Sequence, residues 1–476
     1  MGNKKLQVWL PLLFSVVLIV GMVIGFKMNK SGGSTKEFFK AGKSTALEEA
    51  LYRIRTNYVD PVNTDSLQGL AIRQMMNELD PHSVYFPPVE VKEANEDLLG
   101  NFDGIGVEFN VFSDTVNVIY VNPGGPSDLA GMQIGDKIVR VNGESLVGPE
   151  VTTARIKELI RGERGSIASI EVMRNGELKK LSVKRGTIPV PSIDAAYMID
   201  ATLGYIKLNK FTEHSYEEFM QALEGLKKQG LKELIYDLRD NGGGFMGEAF
   251  DMADEFLDGD KLVVFTEGVN SKKREYRCKR PGLFETGKLV ILINERSASA
   301  SEVLAGALQD WDRATIIGRR SFGKGLVQEQ FQLNDGSAIR LTVARYYTPL
   351  GRSIQRSYTK GKKVYMDEIY ERYSNGEALY ADSNKIQNGQ EYKTPGGQIL
   401  YGGGGIMPDI FVPIDTAGFS YDVNRLFIDG RFNGFVYQYY LKHRAEIDQY
   451  KSAGEYLRNR GPAAVEAIKD NKATYL

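Results

Sequence analysis

Between residues 203 and 318 the chain alternates short apolar strands with helical stretches. The strands read as residues 203–208, 234–238, 289–293 and 315–318, and the helices as 216–228, 247–257 and 301–311. Strands that are apolar along their whole length have no polar face to give to water, so both faces must be covered. Strand–helix–strand succession covers them and makes the sheet partly parallel. An α/β core is therefore expected here. The chain has 476 residues, 42% hydrophobic and 25% charged, enough for two to four units with real cores.

The flanking regions have a different character. Residues 8–26 carry no charge and are mostly apolar, long enough for a helix of about 28 Å that matches a bilayer's hydrocarbon core. No small-x-small cleavage pattern follows, so an uncleaved signal anchor is expected, placing the rest of the chain outside the cytoplasm. Ser31-Gly32-Gly33-Ser34 is a flexible spacer. Helical spacing then recurs at Leu47, Leu51, Ile54 and Tyr58, and again from Leu67 to Leu79, where Asp80-Pro81 ends it. Residues 100–185 switch to short strands and Gly/Pro/Asn turns, with a short helix at 127–131 and another at 152–161. After Pro413 the pattern is helical again, and its aromatic stripe of Tyr437 and Tyr440 beside Leu441 is read as packing.

Charge and rare residues narrow the chemistry. The net charge of −1 offers no basic field for nucleic acid. Cys278 is alone, so an intrachain disulfide and a cysteine metal site are both excluded, and only His82, His214 and His443 are present. The run from Gly318 to Lys324 fits the first seven positions of a phosphate-binding loop. Position eight is Gly325 where Ser or Thr would hold magnesium, and a strand-like stretch follows instead of a helix, so no nucleotide site is expected.

The nucleophile signal is the cluster Ser297-Ala298-Ser299-Ala300-Ser301-Glu302 at a helix start. Serine needs a neighbour to take its proton, and Lys324 is available if burial keeps its amine neutral. Ser299 with Glu302 also matches a capping box. The two readings are compatible, because a helix N-terminus presents N–H groups where an oxyanion develops. Spacing alone does not choose among Ser297, Ser299 and Ser301. Gln328 lies four residues beyond Lys324: on a helical turn it would reach the amine, whereas along a straight strand it would sit about 13 Å away. Asp237-Leu238-Arg239-Asp240-Asn241 closes an apolar strand with Gly242-Gly243-Gly244, a run able to bare its amides to an anion. Gly104-Ile105-Gly106-Val107 opens a strand in the way of a carboxylate-binding loop that accepts a peptide's carboxyl end.

Together these motifs resemble the carboxyl-terminal processing (tail-specific) proteases, the S41 peptidases with an inserted PDZ domain. The likeness covers about residues 45–415 and rests on Leu79-Asp80-Pro81-His82-Ser83, the PDZ-like block and the glycine loop after Asp237. It also rests on residues 297–302, 321–328 and Gly402–Gly405 with Pro408-Asp409. The resemblance implies a serine endopeptidase that needs no cofactor or metal. Ser299 would be its nucleophile, Lys324 its base and Gln328 the residue orienting that lysine. It also implies an oxyanion hole from the amides of Ala300 and a glycine of the 242–244 run, taken as Gly243. The fold implied is an α/β crotonase-like (ClpP/crotonase) core with an inserted α+β PDZ domain, an N-terminal helical segment and one N-terminal transmembrane helix. His82 belongs to the family's turn and needs no catalytic role.

The chain then divides into residues 1–30 (cytoplasmic tip and anchor), 31–98 (linker and helical region), 99–186 (PDZ), 187–417 (peptidase) and 418–476 (helical extension). The expected partners are proteins with unstructured carboxyl tails and, through the N-terminal helix, a membrane. A homo-oligomer or an adaptor partner stays open. The expected place is a bacterial inner membrane, single-pass, with the catalytic part extracytoplasmic or periplasmic. The competing reading is a membrane-tethered PDZ adaptor with an inactive peptidase-like domain.

Overall fold

The structure is a computed structural model describing residues 15–17, 19, 45–112, 114–380, 390–415, 430–450 and 452–471. Most of the apolar run 8–26 lies outside the described residues, and Ser15, Val16, Val17 and Ile19 within it are helical. Among the described residues no helix is long and apolar enough to cross a membrane.

The alternating segment folds as its pattern requires. Leu203–Leu208, Glu233–Asp237, Lys288–Ile293 and Thr315–Gly318 form consecutive parallel neighbours in a six-stranded sheet. Ile193–Met198 closes one edge antiparallel, and Ile410–Phe411 joins the other edge parallel. Helices Ser215–Lys228, Met246–Asp254 and Ala300–Asp310 link the strands and share their core with Ile206, Tyr236, Ile291 and Leu304. Burial of one such side chain stabilises the fold by about 1.5–3 kcal/mol, so this cluster dominates the unit.

Sequence pattern did not reveal the second sheet. Val84–Phe86, Leu262–Glu267, Arg274–Arg277, Leu326–Gln332 and Ala338–Tyr347 pair antiparallel, with the long Ala338–Tyr347 strand joining three of them. Its importance is positional: it brings residues 82, 324, 328 and 346 to one place.

Residues 104–184 have a core of their own, built from Ile105, Val118, Ile138, Ile156, Ile170 and Val183. Strands Val107–Phe112, Thr115–Val121, Lys137–Val141, Ile167–Arg174 and Glu177–Lys184 follow one another in the sheet, with Thr153–Ile160 as its helix. Val107–Phe112 is the sheet's edge. The strands entering and leaving this unit, Asn101–Gly104 and Gly186–Pro189, pair with each other.

The expected N-terminal helices appear as Ala46–Asn57 and Thr64–Leu79, the first opened by a Thr45–Glu48 capping box. The C-terminal aromatic stripe does pack: on helix Arg431–Ile447, Tyr437 is buried and its ring lies 5.3 Å from that of Phe112.

Candidate active site

Three serines enter the helix Ala300–Asp310 region, and their hydrogen bonds separate them. Ser297 Oγ donates to the Leu238 carbonyl (2.7 Å) and accepts from the Asn294 amide (2.9 Å). Ser301 Oγ donates to the Asn241 carbonyl at 2.9 Å. Both are fully buried and tie the helix to the glycine loop. Ser299 differs. It opens the helix in the expected capping box with Glu302, its hydroxyl donates to no carbonyl among the described residues, and the residue lines a cleft of about 600 Å³ together with Lys324, Gln328, Arg340 and Tyr346.

Ser299 is also held in a conformation that side chains avoid, with φ 57° and ψ −113°. Such backbone costs on the order of 1–3 kcal/mol and persists only where neighbours fix it. Here its amide donates to Glu302 Oε2 (2.9 Å), and its carbonyl accepts from the Glu302 and Val303 amides. The Ala300 amide, at the helix N-terminus, has no acceptor among the described residues. An amide left open at a helix N-terminus can receive a negative oxygen.

Glu302 is the unexpected centre of the arrangement. It is fully buried, and besides the Ser299 amide its carboxylate accepts from Ser321 Oγ, the Gly323 amide (2.7 Å) and the Lys324 amide (2.9 Å). Burial pushes this carboxyl up, against the pull of the four donors. One carboxylate thus binds the backbone of the serine and that of the lysine. The amides that would cradle a phosphate at 323–324 are already committed to it. The Tyr346 hydroxyl makes a second bridge, lying between the carbonyls of Ser299 (3.0 Å) and Lys324 (2.7 Å).

Lys324 precedes the strand Leu326–Gln332, whose register shifts between Val327 and Gln328. That irregularity removes the straight-strand geometry and re-aims Gln328. Lys324 Nζ donates to Gln328 Oε1 at 2.9 Å. Gln328 Nε2 in turn donates to the His82 carbonyl at 2.5 Å, which fixes the amide with its oxygen toward the lysine. Asp80 holds that carbonyl in place, accepting from the His82 amide (2.8 Å) and the Ser83 amide (2.9 Å). The His82 ring meets the Tyr365 hydroxyl at 2.9 Å; burial first, then the Lys324 charge, lower its pKa to about 3, so it is neutral.

Burial also lowers the Lys324 pKa to about 8, helped by Arg340 and opposed by Glu302 and Asp80. No hydrogen bond links its amine to Ser299 Oγ among the described residues.

Gly243 has φ 95°, and a side chain there would meet Ala298 O at 2.6 Å and Ser299 Cβ at 2.8 Å. Only glycine permits this approach. Its amide donates to Asn241 Oδ1 (2.9 Å), and buried Asn241 also holds the Leu208 carbonyl through Nδ2 (2.9 Å).

Gly104 to Val107 stand apart from this cleft, in the inserted unit. Gly106 has φ 74°, Ile105 is buried, and the Ile105 and Gly106 carbonyls accept from Ser127 and Asn122.

Comparison with known proteins agrees with both halves. The family model for Peptidase family S41 matches residues 202–363, and that for the PDZ domain matches residues 104–184. These define a serine peptidase with an inserted PDZ domain. The carboxy-terminal processing protease CtpA of Bacillus subtilis is 33% identical over 356 residues, covering 73% of this chain and 76% of that protein. A probable CtpA-like serine protease of Staphylococcus epidermidis is 33% identical over 359 residues, 75% of this chain and 70% of the relative. Among solved structures, the photosystem II D1 C-terminal processing protease aligns over 79% of this chain and 88% of its own. Its identity is 26% and its TM-score 0.42. The chain belongs to peptidase family S41, the carboxy-terminal processing serine proteases.

Proposed function

We propose that this peptidase cuts protein substrates near their carboxyl ends with a Ser299–Lys324 dyad. Neutral Lys324 takes the Ser299 proton as Oγ attacks the scissile carbonyl. The resulting ammonium then protonates the leaving amine, and water releases the acyl-enzyme. Gln328 holds the lysine amine in place. The Ala300 amide and that of Gly243 receive the oxyanion, the latter by turning from Asn241 Oδ1 to the substrate. The Ser–Lys hydrogen bond forms when substrate fills the cleft, as catalytic contacts often do.

The observation that carries this reading is the lysine's setting: a partly buried amine with its pKa lowered to about 8, aimed by Gln328, in the cleft that Ser299 lines. The adaptor alternative gains nothing from a cleft in which Ser299, Lys324 and Gln328 are all present.

In this reading Gly104, Ile105, Gly106 and Val107 hold the substrate's terminal carboxylate while the tail adds to the edge strand. The core is crotonase-like, and the five-part division at residues 30, 98, 186 and 417 stands as our domain scheme. Residues 8–26 serve as the anchor that leaves the catalytic part outside the cytoplasm at a bacterial inner membrane.

The test is incubation of the full chain with an unfolded protein bearing either a free or an amidated carboxyl end, with fragments read by mass spectrometry. The free tail is expected to be cut faster, and Ser299→Ala to yield no fragments. Fragments from Ser299→Ala would end the dyad reading.

A further inference from the structure

The edge strand Val107–Phe112 runs away from the glycine loop. A tail whose carboxylate sits at that loop therefore lies antiparallel to the strand, its upstream residues heading for Phe112. At about 3.3 Å per residue, six paired residues span about 20 Å. Pairing does not continue to the strand's end. The Val111 amide is already taken by Asn110 Oδ1 at 2.9 Å, so a tail leaves the ladder before that point.

A second cleft of about 600 Å³ opens at that end of the strand. One wall is Asn110, Val111 and Phe112, and no residue of the neighbouring strand Thr115–Val121 contributes. The other wall belongs to the C-terminal helices: Arg431, Phe435, Gln438, Tyr439, Lys442 and His443. Among the described residues no carboxylate lines the cleft. Glu446 lies 3.9 Å from His443 and pairs with Arg460. Lys442 is exposed and has no ionic partner among the described residues. The helix is fixed against the unit by the Tyr437 hydroxyl on the Val118 carbonyl (2.9 Å) and by Leu441 against Gly135.

We propose that this cleft is a second recognition subsite, which takes the stretch about five to eight residues before the substrate's carboxyl end and selects acidic and aromatic side chains there. The subsite rests on the reading of the glycine loop as the carboxylate site. Continuity with the edge strand supplies the path, and the charge and rings of the helical wall supply the selectivity.

The experiment measures binding of fluorescent peptides to the full chain carrying Ser299→Ala, so that nothing is cut. Three ten-residue peptides share their last four residues and carry glutamates, glutamines or lysines at positions five to eight from the end. A four-residue peptide and an amidated copy of the acidic peptide complete the set. The acidic peptide is expected to bind about fivefold tighter than the neutral one at low salt. Adding Lys442→Glu should remove or reverse that order while leaving the four-residue peptide unchanged, which also shows that the unit is folded. Equal binding of the acidic and neutral peptides, with the free carboxylate still required, overturns the subsite alone. Undiminished binding of the amidated peptide overturns the carboxylate reading, and the subsite falls with it.

Discussion

Helices Ala300–Asp310 and Arg431–Ile447 represent two ways of placing a functional surface. All eleven residues of the first are buried, whereas the second buries only Tyr437 among its described residues. The first carries the proposed nucleophile Ser299 at its N-terminus, with core on every side, so the serine moves only if the core is disrupted. The second rests on its neighbour through the buried Tyr437 and through Leu441 against Gly135, with the rest of its surface open. Chemistry needs the first kind of support, because a small displacement of the hydroxyl is costly in rate. Accommodation of varied tails needs the second.

Four experiments press on that contrast. Lys324→Ala has the largest expected effect: a loss of about ten-thousand-fold in kcat, with thermal stability retained, read by single-turnover cleavage. Gly243→Ala follows. Its Cβ is driven into Ala298 O and Ser299 Cβ, so the rate should drop about a hundred- to thousand-fold and stability by about 1–3 kcal/mol, read by kinetics and urea unfolding.

The third is a pH profile. In the proposed mechanism the neutral amine is the base, and with its pKa lowered to about 8, kcat/KM should rise through about pH 8. Arg340 repels the lysine's charged form. Arg340→Gln should therefore raise the lysine's pKa and move the rising limb to more alkaline pH; an unmoved or acid-shifted limb contradicts the assignment. The smallest effect is expected on the lightly buried helix. Tyr437→Phe removes the hydrogen bond to the Val118 carbonyl, which keeps the Gly135 amide at 3.0 Å, so it should cost only about 1 kcal/mol in a thermal melt. Cleavage of a short peptide that cannot span the two units should not change.

What the sequence disclosed follows from how local each signal is. The parallel strands were legible because apolar runs and intervening helices are properties of neighbouring residues. The antiparallel sheet was not: Val84–Phe86 meets Ala338–Tyr347 across some 250 positions, and Leu326–Gln332 carries too many polar residues to announce itself. Motifs identified the neighbourhood of the site, but its geometry came from elsewhere. Spacing left Ser297, Ser299 and Ser301 equivalent until the Leu238 and Asn241 carbonyls claimed two of them. Gln328 was out of reach on a regular strand, and a register shift brought it to the lysine. His82 lay in a motif that marked the turn, but it enters the site through its carbonyl, which every residue possesses, so its side chain gave no sign of that contact. Glu302 left one trace, its place in a capping box, and that pattern understated a carboxylate that also holds the lysine loop.

The pairing of Asn101–Gly104 with Gly186–Pro189 sets Gly104 opposite Gly186. The two ends of the inserted unit therefore leave the peptidase side by side, as a plug leaves a socket. A guest domain with adjacent termini can be exchanged for another without redrawing the host, so target choice and bond cleavage are free to evolve as separate parts of one chain.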